Sequence, residues 1–161
     1  MRCSLLLIPA AFLAAGCPAS SNLEDQPVVP HPVTGTVLYD GKPAEGVVIT
    51  LIPNDAPMVP RIPRNPSATT KEDGTFAITT FKEGDGAAEG GYLLVMKWPG
   101  ETDENAEGEA KQDTDRLKGW YDIKHSSFDI RVQPGENSLP TFKLPKITQP
   151  PPAVMGIPGR N

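Results

Sequence analysis

Two runs decide the fold class: Val33-Thr34-Gly35-Thr36-Val37-Leu38-Tyr39-Asp40-Gly41 and, five residues on, Gly46-Val47-Val48-Ile49-Thr50-Leu51-Ile52-Pro53. In the first, Val33, Gly35, Val37 and Tyr39 share one face while Thr34, Thr36 and Leu38 share the other, the two-residue period of a half-buried strand. Asp40-Gly41 follows, a dipeptide that turns hairpins because Gly accepts positive φ without steric cost. The second run is rich in β-branched residues and stops at a proline, which cannot donate to a sheet ladder.

The same grammar continues outward. Glu72-Asp73-Gly74 is a second tight turn and feeds Thr75-Phe76-Ala77-Ile78-Thr79-Thr80-Phe81, in which Phe76 and Ile78 share a face. Gly90-Gly91 precedes Tyr92-Leu93-Leu94-Val95-Met96-Lys97-Trp98, apolar on both faces, so this strand is expected at the centre of its sheet. Phe128, Ile130 and Val132 alternate with polar residues, as do Phe142 and Leu144, and Pro134-Gly135-Glu136-Asn137 turns between the two. No apolar pattern at helical spacing runs for three turns. The expectation is an all-β, antiparallel sandwich of about seven strands with disordered N- and C-terminal extensions. Its core is expected to contain Val37, Val47, Ile49, Leu51, Phe76, Ile78, Leu94, Val95, Phe128, Ile130, Val132 and Leu144.

The order of these motifs, from Val33 through Asp40-Gly41-Lys42-Pro43, Asp73-Gly74-Thr75-Phe76 and Gly91-Tyr92-Leu93-Leu94-Val95 to Val132-Gln133-Pro134-Gly135, resembles the carboxypeptidase regulatory-like domains. The resemblance spans residues 33–144 and implies a transthyretin-like (prealbumin-like) sandwich, similar to the small versions in bacterial envelope lipoproteins. Most of the matching residues shape turns and core. The resemblance therefore implies a folding, interaction or adhesion module, with no catalytic residues and no cofactor.

The N-terminus reads Met1-Arg2-Cys3-Ser4 and then an apolar run from Leu5 to Gly16 ending at Cys17. One positive charge before a short apolar segment is the pattern of an export signal, and the run is well short of the roughly 20 residues a membrane-spanning helix needs. Ala15-Gly16-Cys17 resembles a lipobox, with Ala14 and not the usual Leu at the −3 position. Residues 1–16 are read as a lipoprotein signal peptide and Cys17 as the lipidated residue, carrying acyl chains such as palmitate. The alternative is cleavage by the general signal peptidase at Ala14-x-Gly16. Residues 17–32, with Pro18, Pro27, Pro30 and Pro32, read as a lipid-anchored tether reaching roughly 45 Å in an extended state. Residues 145–161, with Pro150-Pro151-Pro152, read as a proline-rich tail.

Composition narrows the partners. The net charge is −5 with no basic run, which argues against nucleic acid. Cys3 leaves with the signal, so the mature chain holds no cysteine pair and folds without a disulfide. With 15 glycines and 19 prolines in 161 residues, short strands joined by turns are favoured over helices. The expected location is the bacterial cell envelope, lipid-anchored on a periplasmic or surface face, with an envelope protein or a glycan as partner.

Chemistry-bearing motifs are sparse. His31 sits in the tether and His125 in a polar stretch, neither with a partner at a recognisable spacing, and no nucleophile elbow, zinc pair or phosphate loop occurs. The hydrolase reading is accordingly the least favoured. The segment from Gly100 to Asp115 is acidic, and Asp103, Glu104, Asp113 and Asp115 are weak calcium candidates. Their spacing is not that of an EF-hand, and a solvated loop is preferred. Trp98, Trp120 and Tyr121 are candidates for an aromatic rim that contacts a partner or stacks on sugar rings, the basis of an alternative reading as a carbohydrate-binding module. Capping of the core is the preferred role for these rings.

Overall fold

The computed structural model describes residues 28–54, 65–100 and 114–152. Cys17, Asp103, Glu104 and Asp113 lie outside the described residues. Eleven strand segments occur in the order β1 (Pro30–His31), β2 (Val33–Tyr39), β3 (Lys42–Pro43), β4 (Val48–Pro53), β5 (Ser67–Thr69), β6 (Thr75–Ala77), β7 (Ala87–Ala88), β8 (Gly90–Lys97), β9 (Phe128–Val132), β10 (Asn137–Ser138) and β11 (Phe142–Leu144). The seven of three residues or more are the body of a β-sandwich, and among the described residues there is no helix.

One sheet runs β5-β4-β8-β9, antiparallel throughout; the other is organised around β2, which pairs with β3, β6, β10 and β11, while β1 and β7 form a separate two-stranded patch. The long β4–β8 ladder, from Val48↔Lys97 to Pro53↔Tyr92, holds β8 in the interior of its sheet. The inward faces of both sheets meet in one cluster that includes Val33, Val37, Ile49, Leu51, Phe76, Tyr92, Leu94, Val132, Phe142 and Leu144. Burying side chains of this size contributes about 1.5–3 kcal/mol each.

Asp40 and Gly41 take φ of 51° and 76°, and the flanking pair Tyr39↔Lys42 closes a two-residue hairpin. The next strand then leaves for the opposite sheet. The Asp73-Gly74 turn is fixed by Asp73 Oδ1, which accepts from the Thr75 amide at 2.9 Å and the Thr75 hydroxyl at 2.6 Å. Thr70, which is buried, ties the chain here to the segment before β4: its Oγ1 accepts from Val47 N at 2.9 Å and donates to the Ala44 carbonyl.

Several expectations need correction. The pairing is not wholly antiparallel, because β10 and β11 run parallel to β2. The Pro134–Asn137 turn lies between the two runs as expected, and it carries the chain from β9 in one sheet to β10 beside β2 in the other. The strand starting at Thr75 ends at Ala77, because the Asp85 carboxylate captures the amides of Thr80, Phe81 and Lys82 and bends the chain, leaving Phe81 53% exposed. Val95, Phe128 and Ile130 are half-buried and not core. Val95 points to the outer face of β8, the face opposite Leu94 and Met96. Phe128 and Ile130 lie on β9, which pairs only with β8.

The sandwich also reaches past both expected boundaries. Pro30 and His31, read as tether, pair with Ala88 and Ala87, and His31 Nδ1 accepts from Gly135 N at 3.2 Å. Gly86 allows this approach, since a Cβ there would lie 1.6 Å from the His31 carbonyl oxygen. At the other end residues 145–149, read as disordered tail, lie against the domain.

Candidate functional site

The segment between β8 and β9 builds the most elaborate surface. It leaves the sheet at Trp98, and Gly100 N donates to Thr114 O at 2.7 Å and Arg116 N to Trp98 O at 2.8 Å, so residues 98–100 and 114–116 lie side by side. Asp115 organises the returning chain. Its Oδ1 accepts from Trp98 N at 2.8 Å and Leu117 N at 3.0 Å, and its Oδ2 accepts from Gly119 N at 2.9 Å. Both carboxylate oxygens of this calcium candidate are therefore committed to backbone amides. Among the described residues no group of three or more acidic, histidine or cysteine side chains is placed to hold a metal.

Trp98 is 8% exposed, with the Arg116 guanidinium 3.5 Å from its ring centroid and the Tyr39 ring edge-on at 5.2 Å. A cation over an indole face is favourable, and here it also removes that face from solvent. Tyr121 stacks on Phe128 at 5.6 Å with a 10° interplanar angle, and Phe128 meets Phe142 edge-on at 4.9 Å. Burial, and then the neighbouring Tyr39, push the Tyr121 phenol above its ordinary pKa. Tyr39 thus stands between Trp98 and Tyr121, which the sequence placed together only as a candidate rim.

Trp120 has a different task. Lys118 and Gly119 both adopt left-handed φ, 51° and 80°, in the turn that leads into Trp120. Trp120 Nε1 donates to the Gln149 carbonyl at 2.7 Å, Lys118 Nζ to the Thr148 carbonyl at 2.6 Å, and Ile147 N to Tyr39 Oη at 2.9 Å. Trp120, Tyr121 and residues 145–149 line a half-open cleft of about 260 Å³. Sequence reasoning missed Tyr39, Lys118 and the docked tail. The available signal was Ile147, a lone aliphatic residue in a run of prolines and polar residues.

His125 also differs from expectation, because it has a spaced partner. Asp122 Oδ1 accepts from the amides of Lys124 (2.8 Å) and His125 (3.0 Å) and lies 2.8 Å from His125 Nδ1. Burial alone would raise the Asp122 pKa, but these bonds outweigh it and hold the carboxyl below its ordinary value. His125 Nε2 is buried with no hydrogen-bond partner among the described residues. The adjacent Ser126 hydroxyl donates to the Leu94 carbonyl at 2.5 Å, so it is engaged away from the ring. The pair orients an imidazole, and no nucleophile is aligned with it among the described residues.

A scan against protein-family models finds no match, and a search of curated proteins finds none either. Solved structures of similar chain path include the major pilin subunit of Bacillus cereus (12% identity, 74% of this chain and 30% of that one, TM-score 0.42). A DUF3823 family protein from Bacteroides ovatus is 13% identical over 71% of this chain and 44% of that one, TM-score 0.36. A 9R-lipoxygenase from Cyanothece is 14% identical over 81% and 18%, TM-score 0.40. The chain spans less than half the length of each. The β-sandwich itself rests on the strand pairing and the shared core described above.

Proposed function

We propose that the chain is a lipid-anchored bacterial envelope lipoprotein whose β-sandwich is a non-catalytic binding or structural module. The observation that carries the anchor is Ala15-Gly16-Cys17 at the end of a short apolar run, followed by a polar, proline-rich segment with no apolar period. Several acyl chains on Cys17, at about 0.8 kcal/mol per buried CH₂, hold a protein on a bilayer where one chain alone does not. With pairing starting at Pro30, the tether of residues 17–29 gives a stand-off of about 40 Å.

Support for a module and against turnover comes from how the polar side chains are used. Asp73, Asp85, Asp115 and Asp122 all accept from nearby backbone amides, and Thr70 bonds to main-chain atoms. Such groups shape loops and present surfaces. A protein contact is favoured over a sugar platform, since stacking on a sugar needs an open ring face. One face of Trp98 is covered by Arg116, one face of Tyr121 lies on Phe128, and Trp120 is tied to the Gln149 carbonyl.

Mass spectrometry of the mature N-terminus is expected to find an acylated Cys17, and Cys17→Ser to move the protein from the membrane to the soluble fraction. An unmodified Cys17, or a mature start downstream of it, refutes the anchor.

A further inference from the structure

We infer that the surface formed by Tyr39, Lys118, Trp120 and Tyr121 is a docking groove for an extended, proline-rich polypeptide strand, held closed in this structure by the chain's own residues 145–149. The inference is independent of the membrane anchor.

Three observations carry it. First, the groove reads backbone. Lys118 Nζ and Trp120 Nε1 donate to the carbonyls of Thr148 and Gln149, and Tyr39 Oη accepts from the amide of Ile147, so all three side-chain hydrogen bonds to the segment end on main-chain atoms. Recognition of this kind selects an extended conformation with accessible carbonyls. Proline-rich chains supply one at low entropic cost, because their φ is already restricted. The seated segment starts at Pro145 and runs directly into Pro150-Pro151-Pro152.

Second, the occupant is lightly held. Of residues 145–149 only Ile147 is partly buried against the core, and the other four are exposed. Third, the fit is incomplete: the segment and the rings of Trp120 and Tyr121 together line a half-open cleft of about 260 Å³, so the aromatic surface is not fully covered. A strand that is fixed by three polar contacts and one aliphatic side chain opens locally at far lower cost than the sandwich unfolds. Another polypeptide presenting a proline-rich strand with an aliphatic residue at the Ile147 position can displace it and fill the cleft.

The test uses the full chain with residues 145–152 replaced by a Gly/Ser sequence, titrated with the free peptide Pro-Lys-Ile-Thr-Gln-Pro-Pro-Pro and followed by calorimetry. Saturable binding is expected, weakened about tenfold by Trp120→Phe, which keeps an aromatic ring and removes the donor. It is also expected to weaken when glycine replaces the three terminal prolines of the peptide. A tail-replaced chain that melts cooperatively but does not bind millimolar peptide overturns the proposal. Should the replacement prevent folding, hydrogen exchange of the Ile147 amide in the unaltered chain decides. Exchange through local opening, much faster than that of β4 and β8 amides, supports an exchangeable strap. Exchange only through global unfolding makes the strap a permanent part of the sandwich and overturns the inference.

Discussion

Gly35 sits opposite Phe76 in the β2–β6 ladder, and the ring of Phe76 lies across it. A Cβ at this position would be 2.5 Å from Phe76 Cζ, 2.8 Å from Phe76 Cε1 and 3.4 Å from the Leu139 Cβ. Carbon atoms in contact sit about 3.5–4.0 Å apart, so Gly35→Ala forces the ring back by roughly 1 Å. Phe76 has little room to move. It is 3% exposed and packs on Phe142 at 6.3 Å, which in turn meets Phe128 at 4.9 Å, itself stacked on Tyr121. Overpacking of this kind costs about 1–3 kcal/mol. Removing a glycine from the unfolded chain offsets about 0.5–1 kcal/mol of it. The net loss is about 1–2 kcal/mol, a fall in Tm of roughly 4–8 °C for a domain of this size. Thermal unfolding by circular dichroism measures it. The diagnostic variant is the pair Gly35→Ala with Phe76→Leu: the smaller side chain makes room for the new methyl, so the double variant should be more stable than the sum of the two single losses by about 1 kcal/mol. A Gly35→Ala protein that melts with the parent, or strict additivity in the double variant, refutes the reasoning.

Other expectations rest on the buried and charged groups. Thr70→Val preserves shape but leaves the Val47 amide without its acceptor and the Ala44 carbonyl without its donor in a buried corner, a cost of about 2–4 kcal/mol, whereas Thr70→Ser keeps both bonds. Urea unfolding should show a lower midpoint at unchanged m for the valine variant and a much smaller shift for the serine one. The chain should also lose stability in acid. Asp85 and Asp122 are held below the ordinary carboxylate value of 3.8, since amide hydrogen bonds outweigh a burial effect of opposite sign, and Asp73 is lowered by the Thr75 hydroxyl and amide. A carboxyl whose folded pKa is depressed contributes stability that is complete above its unfolded pKa and is lost as pH falls through the folded one. Tm should therefore be nearly flat from pH 7 to about 5 and decline below about 4. Asp85→Asn should flatten that decline, and an unchanged acid slope in this variant would show that the Asp85 bonds carry no share of it.

Local structure was legible in the order of the residues. Alternation in Val33–Tyr39 and the β-branched run Val48–Pro53 name strands and their inward faces, because side-chain direction along a strand is a local property. Nine of the twelve expected core residues are buried for that reason, from Val37 to Leu144. Asp40-Gly41 names a hairpin through the φ values it tolerates.

Which strand lies beside which is not a local property, and it emerges only in the folded chain. The parallel pairing of β11 with β2, the anchoring of Ile147 by Tyr39 across 108 residues, and the burial of Trp98 beneath Arg116 all depend on where connections carry the chain between sheets. The polar residues show the same division. Asp115 looks like a loop residue or ligand in the sequence and His125 like a loop residue, and Asp115 and Asp122 become capping groups only when the folded turn brings backbone amides to their oxygens. A proline-rich tail reads as unstructured because it has no apolar period. It docks because Trp120 and Lys118, far away in the chain, place donors at the height of its carbonyls.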